Sequence, residues 1–373
     1  MNGANSNRPT AHSRLRPRFK VLAVLAGIPF GFDCDAANRA VIATCDVSFR
    51  PVVTVGADAG VHGPSEWSTV VRSQGLYFVA PTYDPGTVSV FDSNGRLLRI
   101  IGARGSGPGE QTEVSAVAVI GDTLYIADDS EGRLSRYTVN GEYLGTAAVG
   151  YLLFTARRGG GLALIQKSTK GGLTLVDVMS GDSSVHQFSI ANESTERDEQ
   201  PGSVVRDHRG AALWIGYWGQ YLFEQYAYDG TRLSRIVGDV PWFPPASVVR
   251  ADPDKFDVIG GLLDFEIDYE GRVLALFGRG SKREYRQRAH EESESAVVEG
   301  AVGPSDVRVG EIVFHILDPR SGRVIAERIG SEPWLKGFAD ATHVFSRSTT
   351  ADGYPVLSIF EVIALDTRTK EAC

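Results

Sequence analysis

A short phrase that ends a strand recurs along this chain of 373 residues. An apolar, β-type run closes on a glycine at Thr54-Val55-Gly56, Ile100-Ile101-Gly102, Ile236-Val237-Gly238 and Arg328-Ile329-Gly330. The first two phrases continue in parallel, into Gly63-Pro64-Ser65-Glu66 and Gly107-Pro108-Gly109-Glu110. The glycine and the Pro/Glu pair thus recur after about 45 residues, and recurrence at that spacing indicates a repeat protein.

The second repeat shows what one unit contains. Four short β-rich runs are separated by turn sequences: Val114–Ile120, Thr123–Ala127, Leu134–Val139 and Tyr143–Ala147. Four strands in a unit of this length are typical of one β-propeller blade. The pairs Asn94-Gly95, Asn140-Gly141 and Asp229-Gly230 mark the last turn of a blade, where we expect a two-residue type I′ turn with positive φ at both positions.

Repetition of this pattern predicts six blades, at about 67–102, 113–148, 151–190, 203–238, 264–330 and from 334 to the end. The sixth blade offers only three strands, whereas Val52–Gly56 has the pattern of a last strand with no blade before it. We therefore expect the N-terminal strand to complete blade six, because closure of the ring leaves no free sheet edge there. The predicted fold class is all-β, a six-bladed β-propeller with four-stranded blades.

The run Ile101–Glu110, followed by Val117-Ala118-Val119 and Leu124-Tyr125-Ile126-Ala127-Asp128, resembles the NHL-type repeat of six-bladed propellers, especially those of secreted bacterial proteins. The match is strong in blades one and two, while blades three, five and six keep the strand rhythm without the Gly-Pro-Gly-Glu loop. The resemblance implies the fold across about residues 50–366. It leaves function open, because similar propellers act as binding platforms, hydrolases, lyases and lactonases.

Residues 1–36 have the layout of a secretory signal. Basic residues between Arg14 and Lys20 precede an apolar run, Val21–Phe32, that is too short to span a bilayer. Cys34-Asp35-Ala36 offers a small-x-small cleavage site, which predicts a mature domain of residues 37–373 that is secreted or periplasmic and has no transmembrane segment. The alternative is a disordered basic leader before a short buried strand.

The net charge of the chain limits the classes of partner that it can bind. Removal of residues 1–36 takes away five basic and two acidic residues, so the formal net charge falls from −8 to −11. A domain this acidic is a poor candidate for nucleic-acid binding, which depends on neutralising phosphates. We expect a monomer that binds a protein, peptide or carbohydrate.

Motifs for catalysis are missing from the sequence. The histidines show no zinc-ligand spacing, and His290-Glu291 lacks the second histidine of the helical zinc motif. The loop Gly105–Gly109 lacks the Lys-Ser/Thr of a phosphate-binding loop, and no Gly-x-Ser-x-Gly elbow occurs. The sequence does not exclude a catalytic Ser/His/Asp site assembled from residues of distant blades.

Carboxylates recur where the innermost strands begin. Glu66, Glu110, Glu113 and Asp264 could converge at the channel mouth, and their hard oxygen ligands favour Ca²⁺. In the alternative interpretation Glu66 and Glu110, which share one repeat position, accept hydrogen bonds from loop backbone groups. Asp128, which follows a second strand, is expected to cap its turn in the same way.

Two features stand outside the repeat. Arg279–Gly310 interrupts blade five with a basic and then an acidic stretch, which is either a lid over one channel mouth or tolerated extra length. In the densest aromatic cluster, Tyr217, Trp218 and Tyr221 flank glycines in a turn, which predicts an exposed binding surface. Tyr226 and Tyr228 are instead expected to pack between blades.

These features favour a binding module for a protein, peptide or carbohydrate. The alternative is a divalent-metal-dependent hydrolase or lyase that resembles gluconolactonases or strictosidine-synthase-like propellers. Cleavage after Ala36 would leave Cys45 and Cys373, which lie seven residues before Val52 and eight after Leu365. Antiparallel pairing of the two terminal strands would bring them together, so we predict a disulfide, with two free thiols on frayed ends as the alternative.

Overall fold

The computed structural model describes residues 45–65, 68–81, 86–128, 130–148, 152–155, 162–167, 173–178, 185–190, 201–207, 212–227, 229–238, 240, 242–243, 258–281, 310–331, 333–366, 369 and 371–373. All of them belong to the compact unit Ala37–Cys373. In the described part of the chain, no helix is long and apolar enough to cross a membrane.

The first half of the chain forms the N-terminal strand, a short 3₁₀ turn at Gly60–His62 and three four-stranded sheets. The strands are β1 (Cys45–Val55); β2 (Ser68–Ser73), β3 (Leu76–Pro81), β4 (Val88–Phe91) and β5 (Leu97–Ile101) of blade one; the two-residue strands β6 (Ala103–Arg104) and β7 (Glu110–Gln111); β8 (Val114–Ile120), β9 (Thr123–Asp128), β10 (Arg133–Thr138) and β11 (Tyr143–Ala148) of blade two; and β12 (Leu152–Thr155), β13 (Leu162–Lys167), β14 (Leu173–Val178) and β15 (Val185–Ile190) of blade three.

The second half forms the other three blades. The strands are β16 (Pro201–Arg206), β17 (Leu213–Tyr217), β18 (Leu222–Tyr226) and β19 (Arg232–Val237) of blade four; β20 (Val258–Ile267), β21 (Val273–Ser281), β22 (Glu311–Leu317) and β23 (Val324–Gly330) of blade five; and β24 (Leu335–Asp340), β25 (His343–Thr349) and β26 (Pro355–Asp366) of blade six.

The blades close into a ring around their first strands. Each first strand contacts the first strands of the preceding and following blades, and β24 returns to β2. Six antiparallel sheets arranged in this way are a six-bladed β-propeller with the first strands innermost. The predicted fold class and blade order are confirmed.

The N-terminal strand closes the ring. β1 runs antiparallel to β26, from the pair Cys45↔Asp366 to the pair Val55↔Leu357, so the prediction for blade six is confirmed. The strand begins earlier than predicted, and its first two residues also pair in parallel with β23. β1 thereby joins blades five and six into one eight-stranded sheet.

The hydrophobic core lies between neighbouring blades. Strands such as β4 and β9 are buried along almost their whole length because both faces of the sheet are covered. The outermost strand β5 instead alternates between exposed and half-buried positions. Between blades four and five the packing is aromatic, as in the contact of Phe223 with Phe265, whose ring centroids are 5.3 Å apart.

The last turn of the blade differs from the expected type I′ turn. The three Asn-Gly and Asp-Gly pairs do connect third and fourth strands, but only their glycines have positive φ, 80° at Gly95, 99° at Gly141 and 86° at Gly230. In blade one, the Gly95 amide donates to the Asp92 carbonyl, and the Asp92 carboxylate accepts the amides of Asn94 and Arg96. These bonds favour a three-residue turn that ends in a left-handed glycine. A two-residue turn with positive φ at both positions occurs instead at Gln74-Gly75, between β2 and β3.

A disulfide links Cys45 to Cys373, with a Cα–Cα distance of 6.4 Å. Beside it, the Cys373 amide donates to the Ala364 carbonyl at 3.0 Å, and the Arg272 guanidinium donates to the Cys373 carbonyl. The bond joins the first residue of β1 to the end of the chain. The predicted pairing is confirmed.

Candidate functional site on the top face

The propeller has two faces. We call the face at which the innermost strands begin the top face, and the opposite one the bottom face. Because consecutive strands of a blade alternate in direction, the connections between second and third strands also lie at the top. The insertion of blade five is one of these connections, since it joins β21 to β22. Arg279, predicted to begin the insertion, lies within β21 opposite Glu311, and residues 282–309 lie outside the described residues.

Two of the carboxylates predicted at the channel mouth bind backbone groups. The Gly107 amide donates to Glu110 Oε2 at 2.9 Å, as the repeat position suggested. Asp264 does not lie where the innermost strand of blade five begins, as predicted, because β20 starts six residues earlier, at Val258. The Phe338 amide of β24 donates to Asp264 Oδ2 at 3.0 Å, so Asp264 ties the innermost strand of blade five to that of blade six. Glu113 is half-buried just before β8, and Glu66 lies outside the described residues. Among the residues that the structure describes, no three His, Cys, Asp or Glu side chains are grouped so that they could hold a metal ion, and the Ca²⁺ site stays a prediction.

Asp128 caps the top of blade two, as expected. Its buried carboxylate accepts the Thr112 amide at 2.8 Å, the Ser130 hydroxyl at 2.9 Å and the Glu131 amide at 3.2 Å. Burial by itself would raise the pKa of Asp128, but these hydrogen bonds to the ionised form outweigh it and lower the pKa. The carboxylate therefore stabilises the loop between blades one and two.

The prediction of an exposed binding surface at Tyr217 and Tyr221 is wrong, since these residues are only 6% and 4% exposed. The Tyr217 hydroxyl donates to Glu224 Oε2 at 2.6 Å, and the Tyr226 hydroxyl donates to the same oxygen at 2.8 Å. Burial first, and then the charge of Glu224 and the hydrogen bonds to it, raise the pKa of both tyrosines. A buried carboxylate is stable only when it is hydrogen-bonded, and Glu224 accepts hydrogen bonds from these two hydroxyls. Tyr226 is buried as predicted, while Tyr228 lies outside the described residues.

Tyr221 begins a hydrogen-bonded chain of three titratable groups, in which Tyr221 and His315 are buried and Glu327 is half-buried. Its hydroxyl lies 2.6 Å from His315 Nδ1, and His315 Nε2 lies 2.7 Å from Glu327 Oε2. A neutral histidine with its proton on Nε2 satisfies all three groups, because Tyr221 donates to Nδ1 and Nε2 donates to Glu327. The hydrogen bond from His315 lowers the pKa of Glu327. Sequence reasoning missed this chain, although His315 and Glu327 face each other directly across β22 and β23.

Three half-buried tryptophans lie at the top of neighbouring blades. Trp218 follows β17, Trp242 follows β19 and Trp334 immediately precedes β24. The Trp218 carbonyl accepts the Leu262 amide at 3.1 Å, which ties blade four to blade five. Trp242 packs at a steep angle against Phe243, Phe277 and His315. Of the other two tryptophans, Trp214 is buried and Trp67 lies outside the described residues.

Two of these tryptophans carry a cation on the ring. The Arg279 guanidinium carbon lies 6.0 Å from the Trp242 ring centroid, and Lys336 Nζ lies 5.6 Å from that of Trp334. Lys336 is the extra residue of a β-bulge, since the pairing of β24 with β25 skips from Leu335 to Gly337. Bulges commonly re-aim a side chain in this way. We call Trp242/Arg279 and Trp334/Lys336 the tryptophan–cation pairs.

Comparison with known proteins agrees on the class. The chain is a β-propeller: residues 65–159 match the profile of the DUF5128 family, described as a 6-bladed beta-propeller. A Bacteroides fragilis protein whose description refers to export is 8% identical, with 87% of this chain and 97% of that protein covered and a TM-score of 0.50. A DUF4221-family protein of Bacteroides vulgatus is 11% identical, with 85% and 98% covered and a TM-score of 0.50.

A more distant similarity joins the chain to virginiamycin B lyase of Staphylococcus aureus, with 9% identity, 84% and 99% covered and a TM-score of 0.42. No protein with a curated description matches the chain. At such low identity the first two structures show a shared fold alone, and the third carries no argument about this chain.

Proposed function

We propose that this chain is an extracytoplasmic, NHL-like propeller that binds a protein, peptide or carbohydrate on its top face. The observation that carries the proposal is the position of Trp218, Trp242 and Trp334, which lie half-buried at the top of the part of the ring from blade four to blade six. Tryptophan supplies a large apolar surface at little entropic cost and is enriched where proteins bind ligands. Binding surfaces of this kind are often mounted on rigid scaffolds.

Location outside the cytoplasm is supported by three features. Cys45 and Cys373 form a disulfide, a bond that persists in oxidising compartments. Residues 1–36 have the layout of a secretory signal. The description of the Bacteroides fragilis neighbour also refers to export.

Ligand arrays of glycans and peptides, followed by calorimetry on the oxidised protein, test the proposal. We expect Trp218→Ala or Trp334→Ala to weaken binding of the selected ligand at least tenfold, about 1.4 kcal/mol, because each removes an aromatic contact. Tyr269→Ala is the matched control, because this exposed aromatic residue lies in the β20–β21 turn on the bottom face. Equal binding by all three variants would place the ligand elsewhere.

The competing class, a metal-dependent hydrolase or lyase, has a separate test. Elemental analysis of the purified protein would find about one tightly held Ca²⁺ per chain if the carboxylates predicted at the channel mouth form a metal site. Retention of that ion after dialysis would favour the enzyme, and Glu113→Gln and Asp264→Asn should then release it.

A further inference from the structure

The tryptophan–cation pairs repeat the same chemistry on adjacent blades. Trp242, which follows the last strand of blade four, pairs with Arg279 of blade five, and Trp334 pairs with Lys336 in blade six. The innermost strands β20 and β24 of blades five and six contact each other. Each pair combines a flat apolar ring with one positive charge. A ligand that repeats its own chemistry along its length can engage both pairs in the same way.

The cations stand out because the chain as a whole is acidic, with a formal net charge of −8. Arg279 already has two carboxylates nearby: its charge helps to lower the pKa of Glu327, and its Nε lies 3.6 Å from Glu311 Oε2, beyond the range of a good hydrogen bond. The Glu311 side chain is 47% exposed, so water weakens this ion pair further. A ligand carboxylate can therefore compete for the guanidinium and form the shorter, bidentate contact that arginine favours.

The tryptophan ring of each pair favours a ligand that has a flat apolar face beside its carboxylate. One face of a sugar ring presents C–H groups that pack against an aromatic ring, and burial of that apolar surface is favourable. An acidic peptide carries carboxylates on flexible side chains and offers no flat apolar face between them. A chain of sugar acids offers both elements in every unit.

We infer that the top face of blades five and six binds an acidic polysaccharide, whose sugar rings contact Trp242 and Trp334 and whose carboxylates bind Arg279 and Lys336. The inference rests on the proposed function, because it names the ligand class of the same surface. Recognition is non-covalent and leaves the polysaccharide intact.

The decisive probes are trimers of galacturonate, glucuronate and mannuronate, each compared with its methyl ester. Esterification removes the negative charge and keeps the sugar rings. It therefore separates the contribution of the protein cation to binding from that of the tryptophan ring. We expect at least one free acid to bind, with its ester at least tenfold weaker. Affinity for the acid should fall as salt rises, because exposed charges are screened.

Arg279→Gln and Lys336→Gln locate the binding. Each should weaken binding of the acid about tenfold, in the range of one charged hydrogen bond, and change binding of the ester little. Arg320→Gln is the matched control, because Arg320 is an exposed arginine in the β22–β23 turn on the bottom face. Melting temperatures within about 2 °C of the unmodified protein show that all three variants are folded.

Several outcomes would overturn the inference. Equal binding of acid and ester would show that the ligand carboxylates do not contribute to binding. Normal binding of the acid by both glutamine variants would show that the ligand does not contact Arg279 and Lys336. Hexaglutamate bound as tightly as the trimers would assign an acidic peptide instead. If no acid trimer binds while a neutral glycan or peptide binds in a manner sensitive to Trp218→Ala, the ligand class is wrong but the proposed binding function stands.

Discussion

Removal of the disulfide should destabilise the whole ring. Cys45 and Cys373 are separated by 328 residues, so the bond closes a very long loop of the unfolded chain. The loop-entropy argument assigns such a closure on the order of 5 kcal/mol, an upper value because native strain reduces it. With an unfolding entropy of roughly 2.1 cal/mol/K per residue, a domain of this length should melt about 7 °C lower without the bond.

Thermal melts of the Cys45→Ala/Cys373→Ala double variant and of the unmodified protein measure the effect. Cys45 is buried in the core between blades five and six and Cys373 packs half-buried against it, so part of any loss comes from packing. Each single variant separates the two contributions, because either one breaks the bond while keeping one sulfur. The singles should therefore show most of the loss of the double variant.

Reduction of the unmodified protein provides a second comparison with no change of side chain. It should lower the melting temperature by a similar amount, and mass mapping without reductant should recover a peptide that joins Cys45 to Cys373. If the double variant melts within about 1 °C of the oxidised protein, the bond does not restrict the unfolded chain as argued.

Three further predictions concern the loops and the buried polar groups. Glu327→Gln should cost about 1 kcal/mol at neutral pH. Because the pKa of Glu327 is lowered from its ordinary value of 4.5, the stability from its ionised form is present above that value and is lost as pH falls through the lowered pKa, so the two proteins should converge in acid. Asp128→Ala should destabilise by about 1–3 kcal/mol in urea melts, since it leaves the half-buried Thr112 amide without its hydrogen-bond partner, whereas Asp352→Ala at an exposed turn should have no measurable effect. Replacement of residues 282–309 by a short Gly/Ser loop should leave the melting temperature nearly unchanged, and loss of folding would show that this segment belongs to the core.

The blade boundaries could be predicted because each blade repeats its own local signals. Strands end at recurring glycines, such as Gly56 and Gly102, and turns carry Asn-Gly or Asp-Gly pairs. The buried strands are continuous apolar runs because neighbouring blades cover both faces of the sheet. The closure by β1 followed from counting strands, since blade six was one short.

The errors arose where local composition had two interpretations. Aromatic residues beside glycines suggested an exposed turn, yet Tyr217 ends strand β17 and bonds the buried Glu224. An Asn-Gly pair fits two kinds of turn, and at Gly95 the carboxylate of Asp92 decides between them by accepting two turn amides. Both decisions depend on a partner that composition alone does not identify.

The sequence by itself determined the repeat, the number of blades, the strand that closes the ring and the two cysteines that could pair. These follow from local patterns and from counting, because strand formation and turn chemistry act over a few residues. Only the tertiary structure decided which side chains meet across blades. Tyr221 and His315 are 94 residues apart in sequence. Trp242, which follows the last strand of blade four, meets Arg279 of β21 in blade five. Such contacts depend on the packing of whole sheets against one another, so no local pattern of residues announces them.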